Sequence, residues 1–197
     1  THWEIGYEPD VQTEQISFFQ RGPLAYEEIY RLGYAAIKSA DSNATVLLAG
    51  ISSMNPNAYR YWREVLLANR EWGDLGNLHA DQFGVDFATS DYRKYLDGLG
   101  YENRTFWITK AVVGSQEDEW DDDQKAKMTV VGYAQAFANG AQKIFFSGGD
   151  EPVFNLAVEM IDGFESVERL GDTSIKFEFS EKTVFVLWDD AVLPEEM

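Results

Sequence analysis

The chain has 197 residues, with 16 Lys plus Arg against 34 Asp plus Glu and a formal net charge of −18. Its field therefore repels phosphate and argues against nucleic acid or an anionic membrane surface as a partner. At 45% hydrophobic and 15% aromatic residues it can bury one sizeable core. It has no cysteine, which excludes a disulfide framework or thiolate site, and only two histidines, His2 and His79, which excludes a multi-histidine centre.

No cofactor and no metal are expected from this composition. No apolar run approaches the roughly 18–20 residues of a membrane span, and no signal-peptide pattern opens the chain, so the sequence leaves localisation open.

In chain order, Trp3 to Ile5 reads as a short buried strand ended by the turn Gly6-Tyr7-Glu8-Pro9, followed by a polar and aromatic loop to Gly22. Pro23 suits the first turn of a helix to about Ser39, with Ile29, Leu32, Ala36 and Ile37 forming its apolar stripe. The continuous apolar run Ala44 to Gly50 is a strand covered on both faces. A helix over Ala58 to Asn69 follows, turning Tyr61, Trp62, Val65 and Leu66 inward. Gly76 to His79 is a further strand, and Ser90 can cap a helix to Leu99.

Thr105 to Lys110 is the next strand. A helix over Asp122 to Asn139 stops at Gly140, and Lys143 to Phe146 is another strand. This alternation predicts an α/β fold with a parallel sheet. The tail differs: Ile175 to Phe179 and Val184 to Trp188 alternate with period two and predict an antiparallel hairpin. The acidic run Glu117 to Asp123 is read as a solvated loop leading into a helix start rather than a calcium site.

Trp3-Glu4-Ile5-Gly6-Tyr7-Glu8-Pro9 resembles the W-E-I-G-N-E-P signature on the fourth strand of clan A retaining glycoside hydrolases, most closely the family 39 type. The resemblance implies a (β/α)8 TIM-barrel fold of which this chain holds strands 4–8. A barrel part over 1–165 would be followed by a small β extension over 166–197. It assigns Glu8 as the general acid/base and puts Tyr7 where the family has the Asn that binds the sugar 2-hydroxyl. Trp107-Ile108-Thr109-Lys110 is similar to the family's W-I-T-E nucleophile motif, with Lys110 in place of the acid. On the sixth strand His79 corresponds to the family's His and Asp81 to its Tyr.

Retaining hydrolysis needs a second carboxylate about 5–5.5 Å from the first to attack the anomeric carbon. Lysine cannot fill that role, so the resemblance implies a glycosidase site that is disabled or altered. Three readings stay open. Lys110 can be a structural partner of Glu8 in an inactive or carbohydrate-binding remnant. It can be a desolvated amine that forms Schiff bases, as in an aldolase or retro-aldolase, with Ala111, Val112, Val113, Phe145 and Phe146 as apolar surroundings. Glycosidase activity can also survive. The expected partner is a carbohydrate or other small molecule, with Trp107 available for stacking on a ring. A partner chain or self-association is expected to cover the open edge of the sheet.

Overall fold

The computed structural model describes residues 1–11, 22–68, 74–80, 86–102, 104–112, 121–146 and 151–189. Asp81, Val113, most of the loop after Val11 and residues 117–120 of the acidic run lie outside these. The chain divides into two compact units, Thr1–His79 with Asp91–Thr109, and Ala80–Ser90 with Lys110–Met197.

In the first unit, strand β1 (His2–Ile5) is followed by helix α1 (Pro23–Ala40) and strand β2 (Thr45–Leu48). The two strands pair in parallel, from His2 against Thr45 to Ile5 against Leu48. Helix α2 (Pro56–Ala68) leads to β3 (Gly76–Ala80), which continues the parallel arrangement through bridges Leu47 to Leu75 and Ile51 to Leu78. Then come α3 (Thr89–Gly98) and β4 (Phe106–Ala111), which lies next to β3; β5 (Ala141–Phe146) belongs to the second unit.

Helix α1 buries a different face from the one its aliphatic residues predict. Tyr26 and Tyr30 are fully buried, while Ile29 and Leu32 are half exposed and Ala36 is exposed. The tyrosines take the inner face because they fill volume and also satisfy strand backbone. The Tyr26 hydroxyl donates to Ile5 O at 2.9 Å and accepts from Ala49 N–H at 2.7 Å; the Tyr30 hydroxyl donates to Val46 O at 3.3 Å. Aliphatic side chains at these places would leave those groups unpaired, at a cost of about 1–3 kcal/mol each. Helix α2 buries Tyr61, Trp62, Val65 and Leu66, as its periodicity predicts.

Trp3 is a further correction. It is 53% exposed and β1 is exposed along most of its length, because among the described residues β1 pairs only with β2. Ser90 lies inside α3 rather than capping it; the Asp86 carboxylate accepts its N–H at 3.0 Å.

In the second unit, α4 (Asp122–Ala138) starts on a capping box in which Asp121 accepts from Gln124 N–H and the Gln124 side chain accepts from Asp121 N–H. The acidic residues Asp122 and Asp123 then sit at the positive end of the helix. Helix α5 (Glu151–Ile161) precedes β6 (Ser166–Gly171), β7 (Ser174–Glu178) and β8 (Thr183–Leu187), an antiparallel sheet in that order. The pair β7–β8 is the predicted hairpin, and β6 extends it. Ile175 and Phe177 are fully buried, and Phe164 joins Phe137 and Phe177 edge to face.

Candidate functional site

The backbone turns sharply after β1. Gly6 has φ +92° and Glu8 has φ +38°, a left-handed conformation that costs a non-glycine residue about 1 kcal/mol or more. Val11 N–H donates to Glu8 O at 3.1 Å and closes the turn. Two residues on, the Asp10 carboxylate accepts from the Ser52 hydroxyl at 2.8 Å and from Ser52 N–H at 3.1 Å, tying the segment after β1 to the one after β2.

This turn delivers Glu8 to His79 on β3. The imidazole is 2% exposed, and its Nδ1 lies 2.7 Å from Glu8 Oε1; the Glu8 side chain is 17% exposed. The other ring nitrogen, Nε2, lies 3.0 Å from Thr109 Oγ1 and 3.6 Å from Glu4 Oε1, and Glu4 is 26% exposed. The ring fits against bare backbone: a Cβ on Gly50 would come within 2.6 Å of His79 Cγ and closer still to Cδ2 and Nε2. Burial alone pushes the imidazolium to lower pKa, but the hydrogen bonds and charges of Glu4 and Glu8 outweigh it, so His79 sits above its ordinary value.

The surrounding hydrogen bonds fix where the protons go. Leu48 O can only accept, so the Asn77 side-chain group 3.1 Å from it is the NH2. Asn77 Oδ1 then faces Thr109, accepting from its N–H at 3.3 Å and its hydroxyl at 3.0 Å. With its one proton committed to Asn77, Thr109 Oγ1 accepts from His79 Nε2–H. The remaining proton of the network is therefore shared between His79 Nδ1 and the Glu8 carboxylate. A carboxyl group that can pass its proton to a buried imidazole and recover it has the chemistry of a general acid/base.

Of the residues singled out from sequence, the structure brings Glu8, His79 and Tyr7 together, with the half-exposed Tyr7 ring centred 5.1 Å from the imidazole. Trp107 is buried, its ring 4.8 Å from that of His2. Lys110 is half buried on β4 and belongs to the second unit, followed by fully buried Ala111. Phe145, expected among its apolar surroundings, is half exposed. Asp81 lies outside the described residues. Sequence reading missed Glu4, Asn77 and the role of Thr109. The signal was spacing: Asn77 and His79 are two apart on one strand, as are His2 and Glu4, so each pair shares a face.

No family model and no curated protein matches the sequence. Among solved structures, the chain is similar to one described as a glucosidase from Croceicoccus marinus. That match has 16% identity and a TM-score of 0.59, covering 89% of this chain and 47% of that one. It is also similar to AbfB, a family 51 α-L-arabinofuranosidase from Bifidobacterium longum, at 15% identity and a TM-score of 0.51, covering 74% and 37%. The chain thus spans about half the length of the first and just over a third of the second. At such identities the likeness shows the fold alone: a mixed α/β arrangement with parallel sheets, plus the antiparallel three-stranded sheet.

Proposed function

We propose that the chain is a glycoside hydrolase-like carbohydrate binder in which the acid/base, Glu8, is kept and the nucleophile position is occupied by Lys110. The observation that carries this reading is the Glu8 carboxylate held 2.7 Å from the buried ring of His79 in a network with one shared proton. The strand-end motifs and the glycosidase descriptions of the two fold neighbours support it. Family 39 is the finer assignment, and the chain would supply strands 4–8 of a barrel over 1–165 with a β extension over 166–197. Tyr7 and Asp81 would line the sugar site; Trp107, expected from sequence to stack on a ring, is buried at 5% exposure.

With Lys110 at the nucleophile position no glycosyl-enzyme forms there, so the wild-type chain should bind sugar without turning over nitrophenyl glycosides. Lys110→Glu should bring turnover above background, and adding Glu8→Gln should remove it. Wild-type turnover that persists in Lys110→Ala would sink the proposal, because another group would then be the nucleophile.

The half-buried position of Lys110 favours one second reading, Schiff-base chemistry. The amine would add to a carbonyl carbon and expel water to give an iminium, with Glu8 moving the protons. Borohydride reduction in the presence of aromatic aldehydes should then leave one adduct, on Lys110. Labelling spread over surface lysines would exclude this reading.

The exposed edge of β1, with Trp3 half exposed on it, supports a further proposal that a partner chain or a second copy lies there. A monomer mass in solution for the isolated chain would remove self-association.

A further inference from the structure

Glu4 lies within β1, where a strand of a parallel sheet is ordinarily apolar. Successive residues of the strand face opposite ways. Ile5 turns to α1, since a Cβ on Gly33 would come within 2.9 Å of Ile5 Cδ1, so Glu4 turns to the other face. There Glu4 Oε1 stands 3.6 Å from His79 Nε2. The Glu4 side chain is 26% exposed, so water reaches the carboxylate, whereas the ring beside it is 2% exposed.

The contact is too long for a hydrogen bond, and Nε2–H is already given to Thr109 Oγ1 at 3.0 Å. Glu4 therefore acts on the imidazole through its charge. A carboxylate a few ångströms from a ring nitrogen favours the protonated ring. Glu8 does the same from the Nδ1 side, but at 2.7 Å it can also take the proton for itself. Glu4 has no such path. The shared proton thus has two resting places, and Glu4 weighs on one of them: with the proton on His79 it faces a cation, with the proton on Glu8 a neutral ring.

The charges that raise His79 are the carboxylates of Glu4 and Glu8. Asn77 on β3, Thr109 on β4 and Gly50 after β2 bring no charge to the ring, and Tyr7 brings an aromatic ring 5.1 Å away. Glu4 also bears on Tyr26, whose hydroxyl donates to Ile5 O; burial pushes that hydroxyl well above its ordinary pKa, so it stays neutral.

We propose that Glu4 is a positioning residue whose charge keeps the shared proton on His79, and so keeps Glu8 a carboxylate ready to accept a hydrogen bond from a sugar hydroxyl. The sugar in that statement rests on the carbohydrate reading above; the placement of the proton does not.

The test follows the imidazole nitrogens of His79 and the side-chain carboxyl carbon of Glu8 by NMR across pH in the full chain, with His79→Gln to tell its signals from those of His2. Glu4→Gln keeps the size of the side chain and removes its charge. In that variant His79 should release its proton at lower pH, its proton affinity reduced about 10-fold, the lower end for an opposite charge this near because water reaches Glu4. The Glu8 carbon should move toward its protonated form at a pH where the wild type shows the carboxylate. Glu4→Asp, which keeps the charge on a shorter stem, should recover part of the wild-type titration. An unchanged His79 titration in Glu4→Gln overturns the inference, and a lower Tm with that titration unmoved does so too, because Glu4 would then only support the strand. In parallel, D-xylose, L-arabinose and D-glucose are titrated into the wild type. If His79 shifts as expected and no sugar binds, the proposed function fails and the proton placement stands; if a sugar binds and His79 does not shift, this inference alone fails.

Discussion

Gly50→Ala should destabilise the first unit by about 3 kcal/mol, at the upper end of ordinary overpacking costs. The added carbon would lie within 2.6 Å of His79 Cγ, and the ring has no cheap way to retreat. Its two nitrogens are held by Glu8 on one side and Thr109 on the other, and it is 2% exposed. Either the ring moves and breaks the proton-sharing contact, or the segment after β2 moves and strains Asp10 against Ser52. At roughly 2–4 °C per kcal/mol for a chain of this size, Tm should drop by about 6–12 °C. Melting at the wild-type temperature would mean that His79 does not lie against Gly50.

The second large effect concerns His79 itself. Its pKa is raised in the folded state, so more protons are bound there than in the unfolded chain wherever the two states differ. The resulting stabilisation is fully present below the ordinary histidine value, about pH 6.5, and is lost as pH rises through the folded-state value. His79→Gln, which does not titrate, should therefore melt well below the wild type at about pH 6, with the gap narrowing steadily toward alkaline pH. Breaking a buried ion pair costs about 3–5 kcal/mol, and because Glu4 and Glu8 keep some contact with water the lower figure applies. A gap that does not change with pH would show that no proton is shared between Glu8 and His79.

The candidate site was legible only in part. Glu8 stands out because a Glu-Pro turn follows a short apolar strand, and His79 because it is one of only two histidines. Glu4 does not stand out: an acid within a strand reads as surface until β3 is seen to bring an imidazole beside it. Asn77 and Thr109 look unremarkable alone, yet the anchoring of Asn77 on Leu48 O decides which way every hydrogen bond of the network runs. The same limit appears in α1, where apolar periodicity pointed to Ile29 and Leu32. Tyrosine hydroxyl bonds to Ile5, Ala49 and Val46 decided the buried face instead.

By itself the sequence determined the alternation of strand and helix, the inward face of α2, the acidic start of α4 and the terminal hairpin. Each depends on interactions within a few residues of chain, which local spacing records. Only the tertiary structure decided which carboxylates meet His79, which ring nitrogen faces Glu8 and that Trp3 stands on an exposed strand edge. Those depend on groups far apart in the chain, such as Glu8 and His79 at a separation of 71 residues, and local sequence carries no record of such meetings.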